Sequence, residues 1–297
     1  CTVYNMIRLA EFLFRQTKDP AYMHYIEYNI QNGLLAQSYC GDGLLTYFLP
    51  MKAGSRKDWA GEMDSFFCCH GTMVQANAAW NRLLFYQDGK DIYVTQYRDS
   101  DADFTVDGKK VHITLRQDYM NGNLQISSEN NAAQVVNDTA AAYANKPEFR
   151  KYVLTLNMEP GADFTLCLRV PDWIAGEAKF YMEMPDGSAQ DGSPAGNGSS
   201  RTEPVAVTET DKFMRIRGNW QDGCRVVMTL PIGLDFIPLP DDETTGAFRY
   251  GADVLAGITE QERILYLETE KPEEELSVDT ERQWGDFLTF YRTENQD

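Results

Sequence analysis

The apolar residues of this chain change period near residue 87, and that change restricts its folding more than any other feature. Before it they recur every three to four residues, the spacing of one helix face. After Gly89 they come in short β-branched and aromatic runs separated by turn residues, the spacing of strands. In "VYNMIRLAEFLFRQTKDP" the residues Met6, Leu9, Ala10 and Leu13 predict one buried helix face. Asp19-Pro20 supplies an N-cap and a first-turn proline for a second helix through Tyr22, Ile26 and Ile30, with Gly33 as its C-cap. "GTMVQANAAWNRLLFYQDG" predicts a third helix, capped by Thr72 and ended by Asp88-Gly89. The runs "KDIYVTQY", "KKVHITLRQ", "GNLQISSE", "KYVLTLNMEP", "DFTLCLRVP", "KFMRIRGNW" and "CRVVMTLPIGLDFIP" predict an antiparallel β-sandwich. "PDGSAQDGSPAGNGSS" predicts a flexible loop near 186–200, and "AFRYGADVLAGI" one more strand before a charged tail. The expected layout is a multidomain α and β chain: part of a helical domain over 1–87, then one or more β-sandwich domains over 88–297.

Its 297 residues suffice for the cores of about two domains. A net charge of −18 argues against nucleic acid or an anionic membrane surface as partner, since both require a basic patch. No apolar run approaches the ~18 residues of a membrane helix. The chain opens on Cys1 with the helical pattern already under way, so it is expected to be the C-terminal part of a longer protein. Localisation stays open, because any signal would precede Cys1. Six irregularly spaced cysteines in this length do not make the framework of a small disulfide-rich domain.

The candidate chemistry centres on Ser65–Thr72, "SFFCCHGT", where two cysteines stand side by side. Neighbouring cysteines close a strained disulfide ring. Such a pair can instead serve one metal, supply a nucleophile, or pack as two small hydrophobes. A helix start stabilises an anion and lowers the pKa of a thiol beside it. Cys40, His70, Glu62 and Asp64 lie nearby in sequence as further candidate zinc ligands, with Cys1 more distant; no CxxC or HxxxH spacing selects among them. His24 reads equally as a surface, capping or ligand residue, His112 as structural, and Cys167 and Cys224 as core packing. With 45 acidic residues, counting carboxylate pairs identifies no glycosidase site.

Several phrases, taken in order, resemble the β-L-arabinofuranosidases of glycoside hydrolase family 127. "CTVYNMIRLAEFLFRQTKDPAYMHYIEYNIQNGLLAQ" is similar to that family's cysteine-bearing helix and the glutamate-bearing helix after it. "LLTYFLPM" resembles the segment with an active-site tyrosine, and "FFCCHGT" the vicinal-cysteine motif. "LCLRVPDWI", "NWQDGCRVVMTLPIGLDFIP" and "YGADVLAG" resemble its sandwich phrases. The resemblance implies the C-terminal part of an (α/α)6 barrel followed by antiparallel β-sandwich domains. It also implies a retaining glycoside hydrolase acting on terminal β-L-arabinofuranosyl or related pentose residues of plant-wall glycans. Its cofactor would be zinc, held by a glutamate and three cysteines. By position Cys1, Cys68 and Cys69 match the metal thiolates, Cys68 the nucleophile, and Glu27 and Tyr47 two substrate-binding residues. Cys40 has no counterpart. The family's zinc glutamate and acid/base glutamate fall upstream of Cys1, so the chain without the missing barrel half is expected to be inactive. Phe66 stands where the family has a histidine, and "HGT" where many members have prolines, which marks a divergent branch. The rival readings are a non-catalytic carbohydrate-binding or scaffold protein and a thiolate metal-binding protein without sugar chemistry.

Overall fold

The computed structural model describes residues 1–37, 45–48, 66–118, 148–185, 202–204, 213–217, 220–257, 266, 276–278 and 290–293. The expected strand "GNLQISSE" and the expected loop near 186–200 lie outside them. Helix α1 (Thr2–Thr17) ends where Lys18 turns left-handed, at φ 57°, and donates its N–H to Phe14 O. It buries Tyr4, Ile7, Ala10, Glu11 and Phe14. Of the expected face only Ala10 is buried; Met6 and Leu9 are 42% and 47% exposed. The helix is apolar on two sides, with Phe12 on the exposed one and Phe14 on the one that packs inward. Phe14 is fully buried against the rings of Tyr86, Tyr93 and Phe213.

Helix α2 (Ala21–Asn29) starts as expected in kind: Asp19 Oδ1 accepts the Ala21 N–H at 2.9 Å. Met23, Ile26 and Ile30 face the core, while Tyr22 is only half-buried. Gly33 is not a C-cap, because a π-helical turn, Ile30–Leu34, carries the chain on through it. A Cβ at Gly33 would sit 3.3 Å from Val3 Cγ1, so the glycine serves the close approach of this turn to α1. Helix α3 (Cys68–Ala78) begins four residues before the expected Thr72 cap and is followed by a 3₁₀ turn, Trp80–Leu83. The sequence "FYQD" is strand rather than helix, and Asp88-Gly89 turns a hairpin, with Gly89 at φ 58°.

The strands of the sandwich are β1 (Phe85–Asp88), β2 (Asp91–Val94), β3 (Ser100–Val106), β4 (Lys109–Asp118), β5 (Phe149–Met158), β6 (Thr165–Arg169), β7 (Lys179–Glu183), β8 (Thr202–Pro204), β9 (Phe213–Arg217) and β10 (Arg225–Pro231). They form a four-stranded sheet, β1-β2-β6-β9, and a six-stranded sheet, β3-β4-β5-β10-β7-β8. The six-stranded sheet is antiparallel throughout. In the other, β2 and β6 run parallel, contrary to the antiparallel expectation. Between these two strands the chain crosses into the second sheet for β3, β4 and β5, so it re-enters in the same direction.

Alternation sets the layers. Ile92, Val94, Leu166, Leu168, Met214 and Ile216 point from the first sheet into the core shared with Val111, Ile113, Leu115, Leu154, Leu156, Val226 and Met228 of the second. The intervening Tyr93, Cys167 and Phe213 point the other way, into a second core with α1, α2 and α3. The four-stranded sheet is therefore buried on both faces, with helices on one side and the second sheet on the other. Three more strands follow as a separate sheet: β11 (Leu234–Leu239), β12 (Asp242–Tyr250) and β13 (Asp253–Val254). The short pieces Ala256–Gly257, Leu276–Val278 and Phe290–Thr293 pair as a last one. Among the described residues no helix is long and apolar enough to cross a membrane.

Polar side chains fasten helix α2 and its extension to the sheets. Gln96 donates to Met23 O at 3.1 Å, and His24 Nε2 lies 3.1 Å from Val170 O. Asn32 bonds both Ala252 O and the Val254 N–H, acting as a partner to the β13 backbone. His24 is thus a half-buried link to the loop after β6, and burial with the nearby Arg169 charge lowers its pKa. His112 pairs with Asp103 across β3 and β4, and Cys167 and Cys224 are fully buried, as expected of structural residues.

Candidate active site

Cys68 and Cys69 occupy the first two positions of α3, where backbone N–H groups have no partner within the helix. Phe67 precedes them in an extended conformation and has no side-chain acceptor to cap the helix. His70 supplies the return bond of the cap: its Nδ1 accepts the Phe67 N–H at 2.9 Å. Cys1, at the N-terminal end of α1, reaches the same place through the packing of α1 on α3. A short bridge at Leu45–Thr46, anchored by the Thr46 N–H on Gln37 O at 2.9 Å, brings in Tyr47.

Cys69 Sγ lies 3.0 Å from Cys1 Sγ and 3.8 Å from Cys68 Sγ. The Tyr47 hydroxyl is 3.6 Å from Cys68 Sγ and 3.5 Å from Cys69 Sγ, and Thr72 Oγ1 is 3.0 Å from Cys1 Sγ. All three thiols are free. The Cys69 thiol is held below its ordinary pKa, first of all by the Tyr47 hydroxyl 3.5 Å away. The sulfurs in turn push the Tyr47 phenol well above its ordinary value, first through its hydrogen bonds with Cys69 and Cys68 and then because a phenolate there would meet like charge. Tyr47 therefore keeps its proton beside the sulfurs.

The three sulfurs all lie within 4.8 Å of one another. Tetrahedral zinc with Zn–S bonds of about 2.3 Å requires sulfurs roughly 3.8 Å apart, so the set fits zinc if Cys1 and Cys69 separate slightly. Soft thiolates are also the donor type that zinc favours over magnesium or calcium.

Residues 1–82 match the family model described as β-L-arabinofuranosidase, GH127 catalytic domain, and residues 91–232 match the GH127 middle domain. This chain belongs to glycoside hydrolase family 127. No curated protein matches the sequence. Among solved structures it is similar to Ara127N, a family-127 β-L-arabinofuranosidase from Geobacillus stearothermophilus T6, at 18% identity and TM-score 0.59. That match covers 84% of this chain and 35% of the other. The β-arabinofuranosidase BT3674 is similar at 16% identity and TM-score 0.58, covering 86% of this chain and 36% of that one. The family-127 chain described here thus spans about a third of the length of these relatives.

Of the residues expected from sequence, the fold gathers Cys1, Cys68, Cys69 and Tyr47 at one point. Glu27 is engaged elsewhere. Its Oε2 accepts the Trp173 Nε1–H at 2.8 Å, and its Oε1 lies 2.9 Å from Arg169 Nη2. Cys40, Glu62 and Asp64 lie outside the described residues. Thr72, expected as a helix cap, instead contacts Cys1. Its position three and four residues past the cysteine pair was the available signal, because those positions share a helix face.

Proposed function

We propose that the full-length protein is a retaining glycosidase that removes terminal β-L-arabinofuranosyl or related pentose residues from arabinose-containing glycans, with Cys68 as nucleophile and zinc as cofactor. The observation that carries this reading is the convergence of three thiols beside Tyr47 in a family-127 chain. Cys1, Cys68 and Cys69 would hold zinc together with a carboxylate from the rest of the protein, and the bound ion would keep the sulfurs ionised at neutral pH. Helices α1–α3 belong, on this reading, to an (α/α)6 barrel completed by that remainder. The Cys68 thiolate attacks the anomeric carbon and the bond to the leaving oxygen breaks, while a carboxylic acid gives that oxygen its proton. A water deprotonated by the same carboxylate then displaces sulfur and releases the sugar with its configuration retained. The Tyr47 hydroxyl, keeping its proton, would hydrogen-bond the sulfurs and hold them oriented toward the sugar. The family resemblance puts the zinc glutamate and the acid/base glutamate outside these 297 residues, so they alone are not expected to turn over substrate.

The test is zinc content and hydrolysis of a chromogenic β-L-arabinofuranoside by the full-length protein and its Cys68→Ser and Cys69→Ser variants. About one zinc per chain, with hydrolysis abolished by Cys68→Ser, is the expected result. Zinc without hydrolysis of this sugar moves the specificity to another pentose. Neither zinc nor hydrolysis overturns the reading and leaves a scaffold or binding protein.

A further inference from the structure

We propose that His70 is a positioning residue for this site: its ring, pinned to the Phe67 backbone, orients Tyr47 so that the phenol hydroxyl lies on the sulfurs of Cys68 and Cys69. This assignment rests on the thiolate-site reading above. The imidazole is 3% exposed, and its Nδ1 accepts the Phe67 N–H at 2.9 Å. A ring nitrogen that accepts a hydrogen bond carries no proton, so the proton of neutral His70 is on Nε2. The Tyr47 ring stands perpendicular to the imidazole, with centroids 5.6 Å apart. Its hydroxyl reaches both sulfurs of the vicinal pair. Phe66 and Phe67 pack on His70 at 5.8 Å each, and Phe67 also packs on Tyr47 at 5.3 Å, so the two rings share one aromatic cluster.

Capping alone does not account for a histidine here. Glu or Gln at the third helical position caps equally well. His70 instead buries an Nε2–H with no hydrogen-bond partner among the described residues, which is destabilising. What the imidazole offers beyond a Gln side chain is a rigid flat face against Tyr47. The sequence sets the two residues 23 positions apart, and the fold brings them edge to face.

A double-mutant cycle in the full-length protein tests the coupling, using His70→Gln, which keeps an acceptor for the Phe67 N–H but has no ring, and Tyr47→Phe. Zinc affinity is read by competition with a chromogenic chelator, and kcat and KM with the chromogenic arabinofuranoside. Loss of an interaction that orients a metal ligand typically costs 10–100-fold. Each single variant is expected to weaken zinc binding or lower kcat by about tenfold with KM little changed, and the double variant to be no worse than Tyr47→Phe alone. Effects that multiply, or a His70→Gln protein with native zinc affinity and kcat, overturn the assignment. Should the Gln variant not fold, His70→Leu fills a similar volume and removes both the flat ring and the pin to Phe67, and the same non-additivity is expected. A native protein that binds zinc but hydrolyses no sugar sinks the glycosidase reading and leaves the cycle readable in zinc affinity. One that does neither overturns both.

Discussion

Glu27→Gln separates a structural role for this carboxylate from the sugar-binding role that the family resemblance implies. Arg169 is fully buried and Glu27 is 14% exposed, with Oε1 2.9 Å from Arg169 Nη2. Among the described residues neither terminal guanidinium nitrogen makes an aligned hydrogen bond, so the contact is chiefly charge neutralisation, which an amide cannot supply. The Trp173 Nε1–H bond, by contrast, survives in the variant because the Gln carbonyl also accepts. Removing one member of a buried ion pair costs about 3–5 kcal/mol. Arg169 keeps its bond to Thr95 O and the face of the Tyr97 ring, so the lower end, about 3 kcal/mol, applies. At roughly 2–4 °C per kcal/mol for a domain of this size, the melting temperature falls by roughly 6–12 °C. Calorimetry of the full-length protein measures this in the transition that includes the sandwich. The double variant Glu27→Gln/Arg169→Met recovers most of the loss, since no uncompensated charge stays buried. An unchanged melting temperature together with a fall in kcat/KM of about tenfold or more, roughly 1.4 kcal/mol, would refute the ion-pair reasoning and put Glu27 at the sugar.

Three further outcomes follow from the packing. His24 faces Arg169, Asp172 and Glu27, and its pKa is lowered on folding; its contribution is complete above about pH 6.5 and is lost as pH falls through the lower folded value. The native protein should therefore lose melting temperature on acidification below that pH more steeply than His24→Gln, and parallel curves would show that His24 does not titrate as argued. Iodoacetamide on the native, metal-free protein should label Cys1, Cys68 and Cys69 and spare Cys167, whose thiol burial pushes up to about 12; peptide mapping before and after urea checks this. Phe14→Ala should destabilise by about 3–5 kcal/mol, read as a shift in the urea midpoint, because three rings lose their partner at a fully buried position.

Strand existence was legible wherever one face alternates, as in β4 and β5, because period two is written directly into "VHITL" and "YVLTL". Strand direction was not: nothing local to β2 or β6 tells that they run parallel, since their intervening strands pair in the other sheet. The inward side of α1 was misread because both its sides are apolar, and only the sheet beneath, with Tyr93 and Phe213, decides which is covered. The start of α3 was placed late because Thr72 looks like a cap and Phe67 does not. The cap comes from His70 reaching back, a role that its residue type does not advertise. Adjacency drew attention to the thiols, but the partners of Glu27 stand 142 and 146 positions away, beyond any local pattern.

On the proposed reading the vicinal pair would divide its work by exposure rather than by acidity. In the metal-free protein the Cys69 thiol is held below its ordinary pKa by the Tyr47 hydroxyl. Zinc, on the proposed reading, would take acidity out of the question, because every coordinated thiol is deprotonated whatever its free pKa. What remains is access. Cys69 is half-buried and lies against Cys1 and Tyr47, so its sulfur is spent on holding the cluster together. Cys68 is exposed, with its longer contacts to Tyr47 and Cys69, and keeps a face open to an incoming anomeric carbon. Side chains at successive helix positions normally point apart. At the first two positions of α3 this divergence keeps one sulfur inward, toward Cys1, and the other outward, toward substrate, while 3.8 Å still lets one ion bind both. On the proposed reading, a nucleophile at Cys68 would follow from where the helix begins.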